Sequence, residues 1–134
     1  MRDASGGILV VEDDPCSRDA LVALLEGEGY EVTVAADGEE ALGRLSASPP
    51  ALILLDLMMP NMDGFEFRAR QMQHHPELSD IPIIVCSCGA DLAKKVESLH
   101  VDKWLTKPYH PGELLDEIAR RIGPGQASVA GAAR

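Results

Sequence analysis

The chain is predicted to fold as a single α/β domain with a parallel sheet, and three observations predict it. Short apolar runs alternate with helix-patterned segments five times along 134 residues. The first, third and fourth runs are apolar throughout, as interior strands covered on both faces require. Several of these runs stop abruptly on charged or hydroxyl residues, namely Glu12-Asp13, Asp56 and Ser87. Strand–helix alternation of this kind needs crossover helices and closes a layered core, and 134 residues suffice to bury one.

The elements follow in order. Gly7 to Val11 forms the first strand and breaks into Glu12-Asp13-Asp14-Pro15. Leu21, Leu24 and Leu25 recur at helical spacing until Gly27 and Gly29 end the first helix. Glu31 to Ala36 alternates, with Val32 and Val34 on one side, which suits an edge strand, and Asp37-Gly38 turns the chain. Ala41, Leu42 and Leu45 mark a second helix, stopped at Pro49-Pro50, and Ala51 to Leu55 runs apolar up to Asp56. Phe65 to Gln73 reads as the third helix and Ile81 to Cys86 as the fourth strand. Leu92, Val96 and Leu99 give a fourth helix, Trp104-Leu105 a short strand ending at Lys107, and Leu114 to Ile122 the fifth helix. Residues 1–6 are expected to form a flexible N-terminus, 7–122 the domain, and the Gly/Ala/Ser-rich 123–134 a flexible tail or linker stub.

Composition narrows the functional classes. A net charge of −10 argues against a nucleic-acid surface, which needs a basic stripe. No apolar run approaches the ~20 residues of a membrane span, and no secretory signal pattern opens the chain, so a cytoplasmic location is expected. Three cysteines, an odd count, favour reduced thiols. Cys86 and Cys88, two apart in a strand, are expected on one face as small core hydrophobes. His74 and His75 are expected to cap a helix end, and His100 and His110 carry no assigned chemistry.

In an open parallel sheet, ligands sit beyond the carboxyl ends of the strands, where strand order reverses. If the first and third strands are neighbours, Glu12, Asp13 and Asp56 converge on one pocket. Like charges ~4 Å apart cost roughly 4 kcal/mol per pair at an effective dielectric near 20, so the pocket calls for raised pKa values or a cation. An oxygen-only donor set suits Mg²⁺ or Mn²⁺ better than Zn²⁺. With Lys107 as a second cation and Ser87 as a hydroxyl donor, the set reads as a phosphoryl-transfer site with Asp56 as nucleophile. Singly, each residue has an ordinary role: an acidic helix start, a turn aspartate, a solvated lysine, a serine cap.

Taken together these residues resemble the receiver domain of bacterial response regulators, over about residues 7–122. The acidic doublet falls on Glu12 and Asp13, and the phosphoacceptor on Asp56 within Leu54-Leu55-Asp56-Leu57-Met58-Met59-Pro60-Asn61-Met62-Asp63-Gly64, the most specific motif. The hydroxyl residue falls on Ser87, the lysine on Lys107 before Pro108 in a peptide bond that is usually cis, and the aromatic switch on Trp104. The resemblance implies a three-layer, flavodoxin-like sheet in strand order 2-1-3-4-5. It implies Mg²⁺ held by Asp13, Asp56 and the backbone carbonyl of Met58, with Glu12 acting through water. It implies phosphoryl transfer from a sensor histidine kinase or histidine phosphotransfer protein, with Lys107 and Ser87 gripping the new phosphoryl oxygens. Movement of Ser87 and Trp104 would then change the face of the fourth helix, fifth strand and fifth helix, toward a downstream protein, an output domain or a phosphorylation-dependent homodimer.

Departures from the family pattern gather on that face: Cys88 and Gly89 after Ser87, a Ser87–Lys107 stretch a residue or two short, His100-Val101 where Gly-Ala is usual, and Trp at 104. Slow self-dephosphorylation is expected, because Met58 and Gly89 cannot orient an attacking water. The rival reading is a receiver-shaped interaction module that works without phosphorylation. A haloacid-dehalogenase-type phosphohydrolase would want a second acid at position 58, where Met stands, and a nucleotide or flavin binder would want a glycine-rich loop after the first strand.

Overall fold

A computed structural model describes residues 6–59, 63–88 and 92–125. Among them five strands, β1 (Ile8–Val11), β2 (Val32–Ala35), β3 (Leu52–Leu55), β4 (Ile83–Ser87) and β5 (Lys103–Thr106), pair in parallel in the order β2-β1-β3-β4-β5. The helices are α1 (Pro15–Gly27), α2 (Gly38–Ala47), α3 (Gly64–His74), α4 (Leu92–Val96) and α5 (Pro111–Ile122). The predicted order and the edge position of β2 are both met.

Side-chain alternation along the strands divides the core into two layers. Leu9, Val11, Ile53, Leu55, Ile83 and Val85 pack with Ala41, Leu45, Phe67, Leu92 and Val96 of α2, α3 and α4. On the opposite face Ile8, Val10, Leu52, Leu54, Ile84 and Cys86 pack with Leu21 and Leu25 of α1 and Leu114, Ile118 and Ile122 of α5. Such double coverage explains why the three central strands read as unbroken apolar runs.

Aspartates start three of the helices. Asp14, Asp37 and Asp63 each accept a hydrogen bond from the N–H three residues on, and thereby satisfy an orphan donor of the first turn. Pro15 and Pro111 open α1 and α5, where a missing N–H costs nothing. His110 caps α5 by accepting from Gly112 N–H on Nδ1 at 3.1 Å, a role its isolated position in the sequence did not reveal.

Three expectations need correction. Cys88 is exposed while Cys86 is buried, because β4 ends at Ser87 and the two-residue alternation stops with it. The fourth helix ends at Val96; Glu97–Leu99, which carries the last of its apolar positions, is a 3-10 turn. Gly123 to Gly125, assigned to the tail, stay with the domain. The Tyr30 hydroxyl donates to the Gly123 carbonyl at 2.7 Å, and buried Gly125 lies so close to the backbone of Glu28 and Gly29 that a β-carbon has no room. Residues 1–5 and 126–134 of the predicted termini, and Gly89, lie outside the described residues.

Candidate functional site

The sheet ladder itself brings the acidic residues together. Val11 is in register with both Ala35 and Leu55, and the ladder continues one step further as Glu12 N–H donates to Ala35 and Asp56 N–H donates to Val11. Glu12, Asp13 and Asp56 therefore leave adjacent strand ends together, and one carboxylate oxygen from each lies within 4.8 Å of the others. On the far side Ser87 is in register with Thr106, and Lys107 N–H donates to the Ser87 carbonyl at 2.8 Å. Five predicted site residues, Glu12, Asp13, Asp56, Ser87 and Lys107, thus share one rim.

Asp56 is 8% exposed and held from both sides. Its Oδ1 accepts from Ser87 Oγ at 3.0 Å and from Met58 N–H at 3.1 Å, while its Oδ2 lies 3.8 Å from Lys107 Nζ. Lys107 Nζ donates to Glu12 Oε1 at 2.7 Å, and Glu12 is only 3% exposed. Burial alone would lower the Lys107 pKa. The hydrogen bond to Glu12 and the charges of Asp56 and Glu12 outweigh burial and hold it above its ordinary value. Arg18 braces the loop by donating to the Glu12 carbonyl at 3.1 Å. Exposed Asp14 caps α1, and its pKa is lowered chiefly by the hydrogen bond it accepts from Ser17 N–H.

Gly64, the first residue of α3, explains the glycine that closes the Asp56 motif. A β-carbon there would come within 2.8 Å of the Asp56 carbonyl oxygen and of Leu57 Cα. The helix start packs directly on the backbone that carries the acceptor, an approach only glycine permits. Met58 turns its side chain outward, 60% exposed, beside Asp56. Trp104, in register with Val85, stands apart from the rim at 41% exposure. The Lys107–Pro108 bond is cis, as expected.

The donor set tests what cation fits. Three carboxylate oxygens at such spacing repel by about 3–4 kcal/mol per pair at an effective dielectric near 20, and one ammonium cannot neutralise three acids. The nearby thiol of Cys86 is no soft ligand, because burial pushes its pKa up to about 12 and keeps it protonated. Oxygen donors alone, with Asp13 half-buried at the mouth, fit a hard divalent ion such as Mg²⁺.

Beside the rim lies a groove of about 660 Å³ between α1 and the β5–α5 connection, with walls that include Ala20, Leu21, Leu24, Pro108 and Tyr109 and with Glu12 and Lys107 at its polar end. Sequence reasoning did not foresee Tyr109, whose pKa is raised by burial and by neighbouring Cys86.

A doubly wound parallel sheet with an acid cluster, a hydroxyl and a lysine at its carboxyl rim defines a phosphoacceptor class of signalling domain. The model of the response regulator receiver domain matches residues 8–119, and the chain belongs to that family, whose members are the phosphoacceptor domains of two-component systems. The chain is 36% identical over 127 residues to the phosphate regulon transcriptional regulatory protein PhoB of Pseudomonas aeruginosa, covering 91% of this chain and 55% of that protein. It is 35% identical over 117 residues to the DNA-binding response regulator MtrA of Mycolicibacterium smegmatis, covering 86% and 50%. It therefore spans about half the length of these two regulators. Among solved structures, the chemotaxis protein CheY4 of Vibrio cholerae superposes with a TM-score of 0.76 at 34% identity, covering 86% of this chain and 97% of that one. No helix among the described residues is long and apolar enough to cross a membrane.

Proposed function

We propose that Asp56 is the residue that takes the phosphoryl group, from a histidine kinase or a histidine phosphotransfer protein, in a Mg²⁺-dependent step in the cytoplasm. One observation carries the reading: the buried Asp56 carboxylate has a hydroxyl donor on one oxygen and an ammonium 3.8 Å from the other. Ser87 and Met58 N–H both occupy Oδ1, so Oδ2, turned to Lys107, is the oxygen that attacks phosphorus. The P–N bond of the donor phosphohistidine breaks as the P–O bond forms, and the departing imidazole takes its proton from solvent. Lys107 then moves its ammonium from Glu12 toward the phosphoryl oxygens, and Ser87 hands its donor from Oδ1 to one of them.

Asp13, Asp56 and the Met58 backbone carbonyl would hold Mg²⁺, with Glu12 reaching it through water; Mn²⁺ suits the same donors. The bound ion would supply positive charge against the charge developing on the phosphoryl oxygens. Movement of Ser87, β4's last residue, would pass to the surface of α4, β5 and α5 that carries Trp104, and so to a downstream protein or an output domain. The exposed Met58 side chain has no group to orient water, which supports slow loss of the phosphoryl group.

Intact-mass spectrometry after incubation with a small phosphodonor tests the reading. The folded protein should gain one phosphoryl group with Mg²⁺ present, and Asp56→Asn should gain none. Folded wild-type protein that takes up no phosphate with donor and Mg²⁺ supplied defeats the proposal.

A further inference from the structure

The inner face of α3 carries a buried cation that the phosphoryl chemistry does not use. Arg68 is 5% exposed and Gln71, one helical turn on, is fully buried. The guanidinium donates from Nε to the Leu99 carbonyl at 2.9 Å and from Nη2 to the His100 carbonyl at 3.1 Å. From Nη1 it donates to the Ser79 carbonyl at 3.2 Å and to Gln71 Oε1 at 2.8 Å. Gln71 in turn donates to the Leu78 carbonyl at 2.9 Å. A rigid fork of donors can serve several acceptors at once, as an ammonium cannot.

Those acceptors are placed to matter. Leu99 and His100 close the 3-10 turn after α4, where carbonyls are left without helical partners and favour a cation. His100 sits in the left-handed region at φ 53°, a conformation strained for a residue with a β-carbon, so the surrounding contacts must hold it. Asp102, two residues on, is held by separate contacts. Arg121 of α5 donates to the Asp102 carbonyl at 3.1 Å, and Asp102 exchanges hydrogen bonds with Ile83 through its N–H and its Oδ1. The turn from Leu99 to Asp102 is thus clamped by arginines from two helices and by the start of β4.

We propose that Arg68 is a positioning residue for signal output. By fixing the Leu99–Asp102 turn, it makes the C-terminal end of α4 a stationary pivot, so that displacement beginning at Ser87 is absorbed at the other end of α4 and delivered to Trp104 in full. This rests on the reading of Asp56 and Trp104 given above. With the clamp released, the same displacement dissipates in the turn. Phosphoryl uptake itself does not depend on it, since Arg68 touches none of the rim residues.

Arg68→Met, which keeps an unbranched apolar stem and removes the donors, tests it in the full chain with three readouts: intact mass, hydrogen exchange, and fluorescence of Trp104, the single tryptophan. Phosphate uptake from a small phosphodonor with Mg²⁺ should stay within about twofold of wild type, while exchange of the 97–104 segment in the absence of donor should rise about tenfold over the global change. The Trp104 response to donor should fall to about half or less, and Arg68→Lys should recover part of it. Exchange that rises no more in the turn than elsewhere, or an undiminished Trp104 response, overturns the proposal. Should Arg68→Met fail to fold, Arg68→Lys carries the test, and wild-type values in both readouts overturn it. Failure of wild type to take up phosphate would defeat the Asp56 reading alone, and the exchange comparison would still judge the clamp.

Discussion

The rim and the α3 clamp both bury charge, and they do so in opposite ways. At the rim, Glu12, Asp13 and Asp56 cluster beside the ammonium of Lys107, which is bonded to Glu12 and only near Asp56. The acids outnumber the cation there, so the arrangement responds to any new positive charge or phosphoryl group. At the α3 clamp, the Arg68 guanidinium distributes its donors over three main-chain carbonyls and a glutamine. Its pKa is lowered by burial, yet arginine starts so high that it stays charged, and its acceptors cannot titrate. The contrast shows how one small domain separates a part that must rearrange from a part that must not. Charge left imbalanced makes a switch, and charge balanced by fixed backbone dipoles makes a bearing.

The comparison breaks most readily at Gly64. Gly64→Ala forces a β-carbon against the Asp56 carbonyl and Leu57, and should cost about 1–3 kcal/mol in denaturant unfolding while slowing phosphate uptake. The same stability loss with unchanged uptake would show that the α3 start does not position the rim. A smaller effect is expected from Lys107→Met. With the competing ammonium gone, Mg²⁺ affinity measured by calorimetry should rise about 3- to 10-fold. Weaker binding would mean that the ammonium organises the acids rather than competes for them.

On the clamp side, His100→Gly relieves the left-handed strain but loosens the unfolded chain, for a net gain of about 0.5 kcal/mol in thermal or chemical unfolding. A loss would place the value of His100 in its side chain. The smallest readout concerns thiols. Iodoacetamide on the native protein should label exposed Cys16 and Cys88 and spare Cys86. Because folding raises the Cys86 pKa from 9.0 to about 12, its neutral form is favoured in the fold. That contribution is full below pH 9 and is lost as pH rises toward 12, so stability should fall across this window.

Much of the site could be read directly from the chain because strand ends are local events. An apolar run that halts on Glu12-Asp13, on Asp56 or on Ser87 marks both the end of a strand and the chemistry displayed there. Arg68 and Gln71 escaped notice because helical patterning assigns long polar side chains to solvent, and nothing local says that carbonyls 31 or 32 residues away will receive them. Cys88 was misplaced for a related reason, since alternation extends only as far as the strand does.

By itself the sequence determined the parallel sheet and the residues displayed at its strand ends, because apolar periodicity acts over a few residues. Tertiary structure alone decided which oxygen of Asp56 meets Ser87, that Lys107 rests on Glu12 95 positions away, and that Arg68 is buried against the turn after α4. Those outcomes depend on distances between separate elements, and such distances exist only once both core layers have packed.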